Sequence, residues 1–130
     1  MPKRSYRFPG TRVVSLLWAV LLLSGVVAEE ALAQSLAKAA QGQKIFFKVC
    51  VQCHTLKAKN QPSGAGLQGV MERVPSEDWL LDWLENPEAM IESGNAYAQS
   101  ISDDYPLDMP KLPVMQRESN RKAIVTFLKQ

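Results

Sequence analysis

Residues Cys50-Val51-Gln52-Cys53-His54 constrain this chain more than any other stretch. Two thiols three positions apart, followed at once by an imidazole, form the C-x-x-C-H pattern of haem c attachment. The spacing follows from the chemistry. Each thiol can add to one vinyl group of the same porphyrin, giving two thioether bonds. The His after the second Cys is then held beside the macrocycle, where a ring nitrogen can bind the iron. Such a tether lets a short chain keep a large apolar cofactor. Other uses of a C-x-x-C pair fit less well. A thioredoxin-like couple needs a βαβ setting, which the sequence lacks. A zinc site needs four ligands, and the chain has two Cys and one His in all. A structural disulfide would give His54 no task.

The first third of the chain reads as a secretory signal. Lys3, Arg4, Arg7 and Arg12 make a basic start, residues 13–27 are a nearly unbroken apolar run, and Ala31-Leu32-Ala33 is a small-x-small cleavage pattern. Residues 1–33 are therefore expected to be removed, leaving 34–130 as one domain. A second possible site, Val26-Val27-Ala28, would start the mature chain at Glu29. The rival is an uncleaved anchor, for which the apolar run falls short of the roughly 20 residues that span a bilayer. Export places the protein in the periplasm, on the side of the membrane where haem c is attached and where disulfides form.

The formal charge of +2 belongs to the whole chain. Removing residues 1–33 takes away four basic and two acidic residues and leaves a formal charge of zero. Nucleic-acid binding then has no electrostatic basis. The distribution is polar along the chain. Lys38, Lys44, Lys48, Lys57 and Lys59 precede any acid of the mature part, ten acids and one base lie in residues 72–108, and the remainder is basic apart from Glu118.

Hydrophobic periodicity predicts an all-α domain. Ser35 can cap a helix running to about Cys50, rich in strong helix formers. Gly42 inside it costs about 1 kcal/mol against Ala, so close contact with another helix is expected there. Residues 55–69 hold Asn60, Pro62, Ser63, Gly64, Gly66 and Gly69 and predict a loop wrapping the proximal edge of the haem. Ser76 caps a helix that opens with Glu77 and Asp78 and carries the stripe Trp79, Leu80, Trp83, Leu84. Asn86-Pro87 ends it and starts a short helix, and Asn95 caps another through Ile101. Pro106, Pro110 and Pro113 make residues 103–114 an extended loop. A last helix over 116–129 turns Ala123, Ile124, Phe127 and Leu128 inward. The mature chain, about 97 residues, is small enough for its core to be marginal without the haem, so the apoprotein is expected to be largely unfolded.

His54 is the only His, which excludes two imidazoles on one iron from this chain. The strong remaining candidate for the sixth ligand is a Met thioether. Met71 lies close behind the Gly-rich loop, Met90 and Met115 occupy helical positions where core packing is expected, and Met109 lies in the Pro-rich loop far along the chain. Met109 is the leading candidate, with Met115 and Met90 behind it. Thioether ligation favours the ferrous state and raises the potential.

Together these features resemble the class I monohaem cytochrome c family, over essentially the whole mature chain. Gly42, Phe46 and Cys50 are spaced as in the family's first helix, where the Gly and the aromatic pack on an aromatic of the last helix, here Phe127. Gly64-Ala65-Gly66-Leu67-Gln68-Gly69 is similar to the family's G-P-x-L-x-G loop, with Ala65 where the family has a Pro whose carbonyl meets the proximal His. Arg73 matches an Arg that often meets a haem propionate, and Trp83-Leu84-Glu85-Asn86-Pro87 resembles the helix before the Met loop. Met109-Pro110 and the helix beyond match the distal Met and its sequel. The resemblance implies a small helical domain wrapped around one covalent haem c, held by Cys50 and Cys53 and ligated by His54 and Met109. It implies a soluble carrier of single electrons between a redox donor and an acceptor, not an enzyme; no His or Cys is left free for hydrolysis. Lys48, Lys57, Lys59 and Lys111 can steer acidic partners. The alternative is a dedicated haem subunit of a dehydrogenase or oxidase, docking through exposed aromatics such as Tyr97 and Tyr105, or a membrane-tethered carrier.

Overall fold

The structure, a computed structural model, describes residues 11–58 and 60–130, with side chains from residue 29 onward. Residues 1–10 of the proposed signal and Lys59 lie outside the described residues. Contacts divide the chain into two units, Met1–Gln34 and Ser35–Gln130. In the first, the described backbone is helical. The second holds the core.

Helix α1 is Thr11–Lys48. Ser35 lies inside it and is not its N-cap, a correction to the sequence reading. The preceding Ala31-Leu32-Ala33-Gln34 contains no breaker, so nothing stops the helix from continuing through Ser35. Among the described residues no helix is long and apolar enough to cross a membrane.

After α1 comes a 3-10 turn, Cys50–Gln52, then a loop, and a second 3-10 turn, Val70–Glu72. Four helices follow: α2 (Glu77–Glu85), α3 (Pro87–Glu92), α4 (Ala96–Asp104) and α5 (Glu118–Leu128), with a 3-10 turn at Pro113–Gln116 before α5. No strand occurs among the described residues, only two isolated bridges in the loop. The fold is all-α, as expected.

The starts of α2, α3 and α4 are set by side-chain caps. Ser76 Oγ accepts from Trp79 N at 3.0 Å, Asn86 Oδ1 from Ala89 N at 3.4 Å, and Asn95 Oδ1 from Ala98 N at 3.0 Å. Each satisfies one of the amides a helix leaves free at its start. Two boundaries differ from expectation. Helix α4 runs on to Asp104, because nothing breaks it before Pro106 bars Tyr105 from helical conformation. Helix α5 starts at Glu118, because Pro113 at the head of residues 113–116 sets a separate 3-10 turn first.

Helix α2 packs chiefly on α5. The core is Phe46, Trp79, Leu80, Trp83, Leu84, Ala98, Met115, Ile124 and Val125. Trp79 and Trp83, one turn apart on α2, stack with centroids 5.3 Å apart, and Tyr97 meets Trp79 edge-on at 5.0 Å. The Trp79 indole N–H donates to Asn95 Oδ1 at 3.2 Å, so one cap also serves a buried ring.

Helices α1 and α5 cross where Gly42 meets Ala123. A Cβ on Gly42 would lie 2.0 Å from the Ala123 carbonyl oxygen and 2.8 Å from Phe127 Cβ. One turn further along α1, Phe46 is 1% exposed and packs on Phe127, centroids 5.6 Å apart. The helix contact expected at Gly42 is present, and it brings the end of α1, and with it Cys50, against the core.

Candidate functional site

Helix α1 stops just short of the first thiol, and the chain tightens into a 3-10 turn. Cys53 N and His54 N both donate to the Cys50 carbonyl, at 3.1 and 2.9 Å. This fold-back gathers Cys50, Cys53 and His54, all half-buried, at one end of α1. The two cysteines form no disulfide with each other. Burial, the larger effect, and the neighbouring Cys53 push the Cys50 thiol up to about 11, against a backbone hydrogen bond that lowers it.

His54 is oriented by the loop that follows it. Its Nδ1 lies 3.0 Å from the Ala65 carbonyl oxygen. A carbonyl only accepts, so Nδ1 carries the proton and the Nε2 lone pair is left for a metal. Ala65 stands where the resemblance has Pro, and the carbonyl contact is made without it. Gly64 passes directly over this pair: a Cβ there would lie 2.8 Å from the Cys53 oxygen and 3.0 Å from His54 Cε1.

The loop is braced from within. Leu67 N donates to Thr55 O at 2.8 Å, Gly66 N to Asn60 Oδ1 at 3.0 Å, and Gln61 and Gly64 exchange backbone bonds. Ser63 Oγ donates to the Cys53 carbonyl at 3.3 Å. Arg73 reaches back to the same loop: Nη2 donates to Gly66 O at 2.6 Å and Nη1 to Gln68 O. Its guanidinium thus braces the proximal loop, a task the sequence reading did not assign to it. Asn60 was legible only as a turn residue, because its partner, a backbone amide six positions on, leaves no pattern in the sequence.

The Met residues separate by burial. Met115 is 0% exposed inside the core, the packing position expected of it. Met71, Met90 and Met109 are partly buried and lie against the core, as do Cys50, Leu67 and Leu112. Met109 belongs to residues 106–111, which make no backbone–backbone hydrogen bond among the described residues. Before it, Ser102 Oγ donates to Asp108 Oδ1 at 2.6 Å. Tyr105 lines a cleft of about 430 Å³ between Asn60-Gln61-Pro62 of the loop and Asp104-Tyr105-Pro106 ahead of Met109. Tyr97 is not a free docking aromatic, since it is half-buried against Trp79. Lys48, Lys57 and Lys111 are exposed.

Residues 39–130 match the family model described as Cytochrome c. The chain belongs to the class I cytochrome c family. Two solved structures agree in fold. Cytochrome c from Rhodothermus marinus is 24% identical with a TM-score of 0.64, over 72% of this chain and 76% of that one. An engineered cytochrome c from Rhodothermus marinus, bound to a carbene intermediate, is 26% identical with a TM-score of 0.60 over the same shares. No curated protein matches the chain. As a member of this family the chain is a c-type cytochrome, an electron carrier with one covalent haem c. The residues present fit that group: two thiols three positions apart that form no disulfide, and an imidazole whose Nδ1 is engaged so that its Nε2 lone pair is left for a metal.

Proposed function

We propose that this cytochrome is a soluble periplasmic carrier that takes one electron from a redox protein and passes it to another, and that it performs no catalysis of its own. Cys50 and Cys53 would hold the haem through thioethers, and His54 and Met109 would supply the two protein ligands of its iron. When bound, the haem iron supplies one-electron chemistry. The chain's own residues do the rest. Ala65 fixes the His54 tautomer and ring plane, and Met109 supplies a neutral, soft sulfur that favours the ferrous state. With His54 and Met109 both bound to the iron, no site would be left for oxygen or peroxide. The observation that carries the reading is the hydrogen bond between His54 Nδ1 and the Ala65 carbonyl.

Met109 is favoured because it is half-buried against the core on a segment without backbone–backbone bonds among the described residues, while Met115 is enclosed by packing. Arg73 keeps a propionate role only through donors left over from its two loop carbonyls. Lys48, Lys57 and Lys111, all exposed, steer acidic partners toward the haem edge. Residues 1–33 are a cleaved export signal.

The test is a visible and near-infrared spectrum with a midpoint potential. The expected result is a haem c spectrum, a weak thioether–iron band in the ferric protein that Met109→Ala abolishes, and no ready carbon monoxide binding by the reduced protein. Survival of the band in Met109→Ala, or prompt carbon monoxide binding, overturns the ligation. Intact mass of protein from the periplasmic fraction, expected to start at Gln34 or Glu29 and to carry one haem, checks export.

A further inference from the structure

Residues 112–116 follow Met109 by only a few positions, and hydrogen bonds to α5 and α2 hold them. Asn120 Nδ2 donates to Val114 O at 2.7 Å, and Arg121 Nη1 donates to Met115 O at 2.7 Å. Gln116 Nε2 donates to Glu85 O at 2.8 Å and to Leu112 O at 3.3 Å. The holders are themselves tied down. Arg121 Nη2 pairs with the Glu85 carboxylate at 2.8 Å, and Gln41 Nε2 of α1 donates to Asn120 Oδ1 at 2.8 Å. Helices α2 and α5 thus meet on one short turn, and α1 reaches it only through Asn120.

The centre of this arrangement is Arg121, only 8% exposed, whose Nε has no hydrogen-bond partner among the described residues. Burying such a group carries a desolvation cost that an apolar side chain of similar volume would avoid. Stability therefore gives no reason for an Arg here. What the Arg does uniquely is reach two directions at once. Its planar fork takes a carboxylate of α2 on one nitrogen and a carbonyl of the 113–116 turn on another, which a Lys ammonium cannot reproduce.

The contrast with the neighbouring segment gives this geometry a purpose. Residues 106–111 make no backbone–backbone bonds among the described residues, and Leu107 is 65% exposed. Apart from the packing of Met109 against the core, its position is therefore set from the ends of its segment. On the near side that is the Ser102–Asp108 bond, and on the far side the clamped turn.

We propose that Arg121, seconded by Asn120 and Gln116, is the positioning residue of the distal ligand: by clamping residues 112–116 to α2 it sets how often Met109 leaves the iron. This rests on the reading of Met109 as the sixth ligand. None of the clamp's hydrogen bonds involves Met109. The clamp acts by making the far anchor of the loop rigid, so that release of the thioether needs the loop to open without help from the turn behind it.

Ferric holoprotein mixed with excess imidazole tests this, through the rate at which the thioether–iron band disappears. Arg121→Met is expected to raise that rate about tenfold or more, the size that fits loss of hydrogen bonds from a charged donor. Glu85→Gln, which keeps the α2 backbone and half of the acceptor, should raise it less, and it holds the test open should Arg121→Met fail to fold. Ser76→Ala removes the N-cap of α2 at the end away from the clamp, loosening the domain without touching residues 112–116, and should leave the rate unchanged. Wild-type rates in both clamp variants, or an equal rise in Ser76→Ala, overturn the clamp while the Met109 reading stands. A wild-type ferric spectrum without the band overturns that reading and the clamp with it.

Discussion

Two neighbouring residues hold the His54 ring, one by what it offers and the other by what it lacks. The Ala65 carbonyl takes the Nδ1 proton, and Gly64 leaves room for the ring and for the Cys53 carbonyl. Gly64→Ala would put a methyl group 2.8 Å from a backbone oxygen and 3.0 Å from a ring carbon. Neither neighbour is the free end of a flexible side chain, so the backbone must move. The expected cost is about 1–3 kcal/mol, read as a lower thermal midpoint of the holoprotein. Ala65→Pro should act the other way. The Ala65 amide donates to nothing among the described residues, its φ is negative, and the residue before it is a Gly, which tolerates a following Pro. The family resemblance also has Pro here. Reducing the freedom of the unfolded chain should raise stability by about 0.4–1 kcal/mol, seen as a higher thermal midpoint with the visible spectrum unchanged.

Helices α1 and α5 form one joint, and it depends on a missing side chain. A Cβ at Gly42 would sit 2.0 Å from the Ala123 oxygen and 2.6 Å from its carbon, both backbone atoms inside a helix. Gly42→Ala must therefore push the helices apart and separate Phe46 from Phe127. The gain in helix propensity, about 1 kcal/mol, is smaller than the expected loss of about 3 kcal/mol for a clash that only backbone movement relieves. A denaturation midpoint well below wild type checks it, and an unchanged midpoint refutes the joint. Gly42 was legible in the sequence because a Gly inside a strong helical pattern calls for a local reason. The caps at Ser76, Asn86 and Asn95 were legible for a similar cause, since the residue that makes the bond is the residue that marks the boundary. The proximal loop was legible as Gly- and Pro-rich backbone, but its bracing by Arg73 and Asn60 was not. Those partners are backbone groups five to seven positions away, and a carbonyl carries no residue identity. The clamp at Arg121 was hidden for the same reason. Its contacts join Arg121 to Glu85 and to the Met115 carbonyl, and an Arg in an exposed-looking stretch of a helix reads as solvated surface. Ser35 was misread because a good capping residue remains an ordinary helical one when helix formers precede it.

The domain of residues 35–130 has a small core of its own, and a ring of half-buried apolar residues, among them Cys50, Leu67, Met71, Met109 and Leu112, packs against it. The haem is the large apolar body that would complete their burial. Haem-free protein is therefore expected to be largely unfolded, and a far-UV spectrum with full native helicity would refute this. Cys50 gives a second, sharper reading of the same state. In the folded chain, burial first and the Cys53 charge second raise its thiol from an ordinary 9.0 to about 11. The thiolate is the reactive form, so a folded haem-free chain would hold about 100-fold less of it at neutral pH than an unfolded one. An unfolded chain releases the Cys50 proton in the ordinary thiol range, whereas the folded chain keeps it. The Cys50 contribution to the stability of a folded haem-free form is thus fully present below about pH 9 and is lost as pH climbs toward 11. Alkylation of the haem-free protein at neutral pH, with each site followed by peptide mass, separates the cases. Equal rates at Cys50 and Cys53 are expected, because the chain that receives the haem is open. Strong protection of Cys50 with free reaction at Cys53 would mean that the site is folded before the haem arrives.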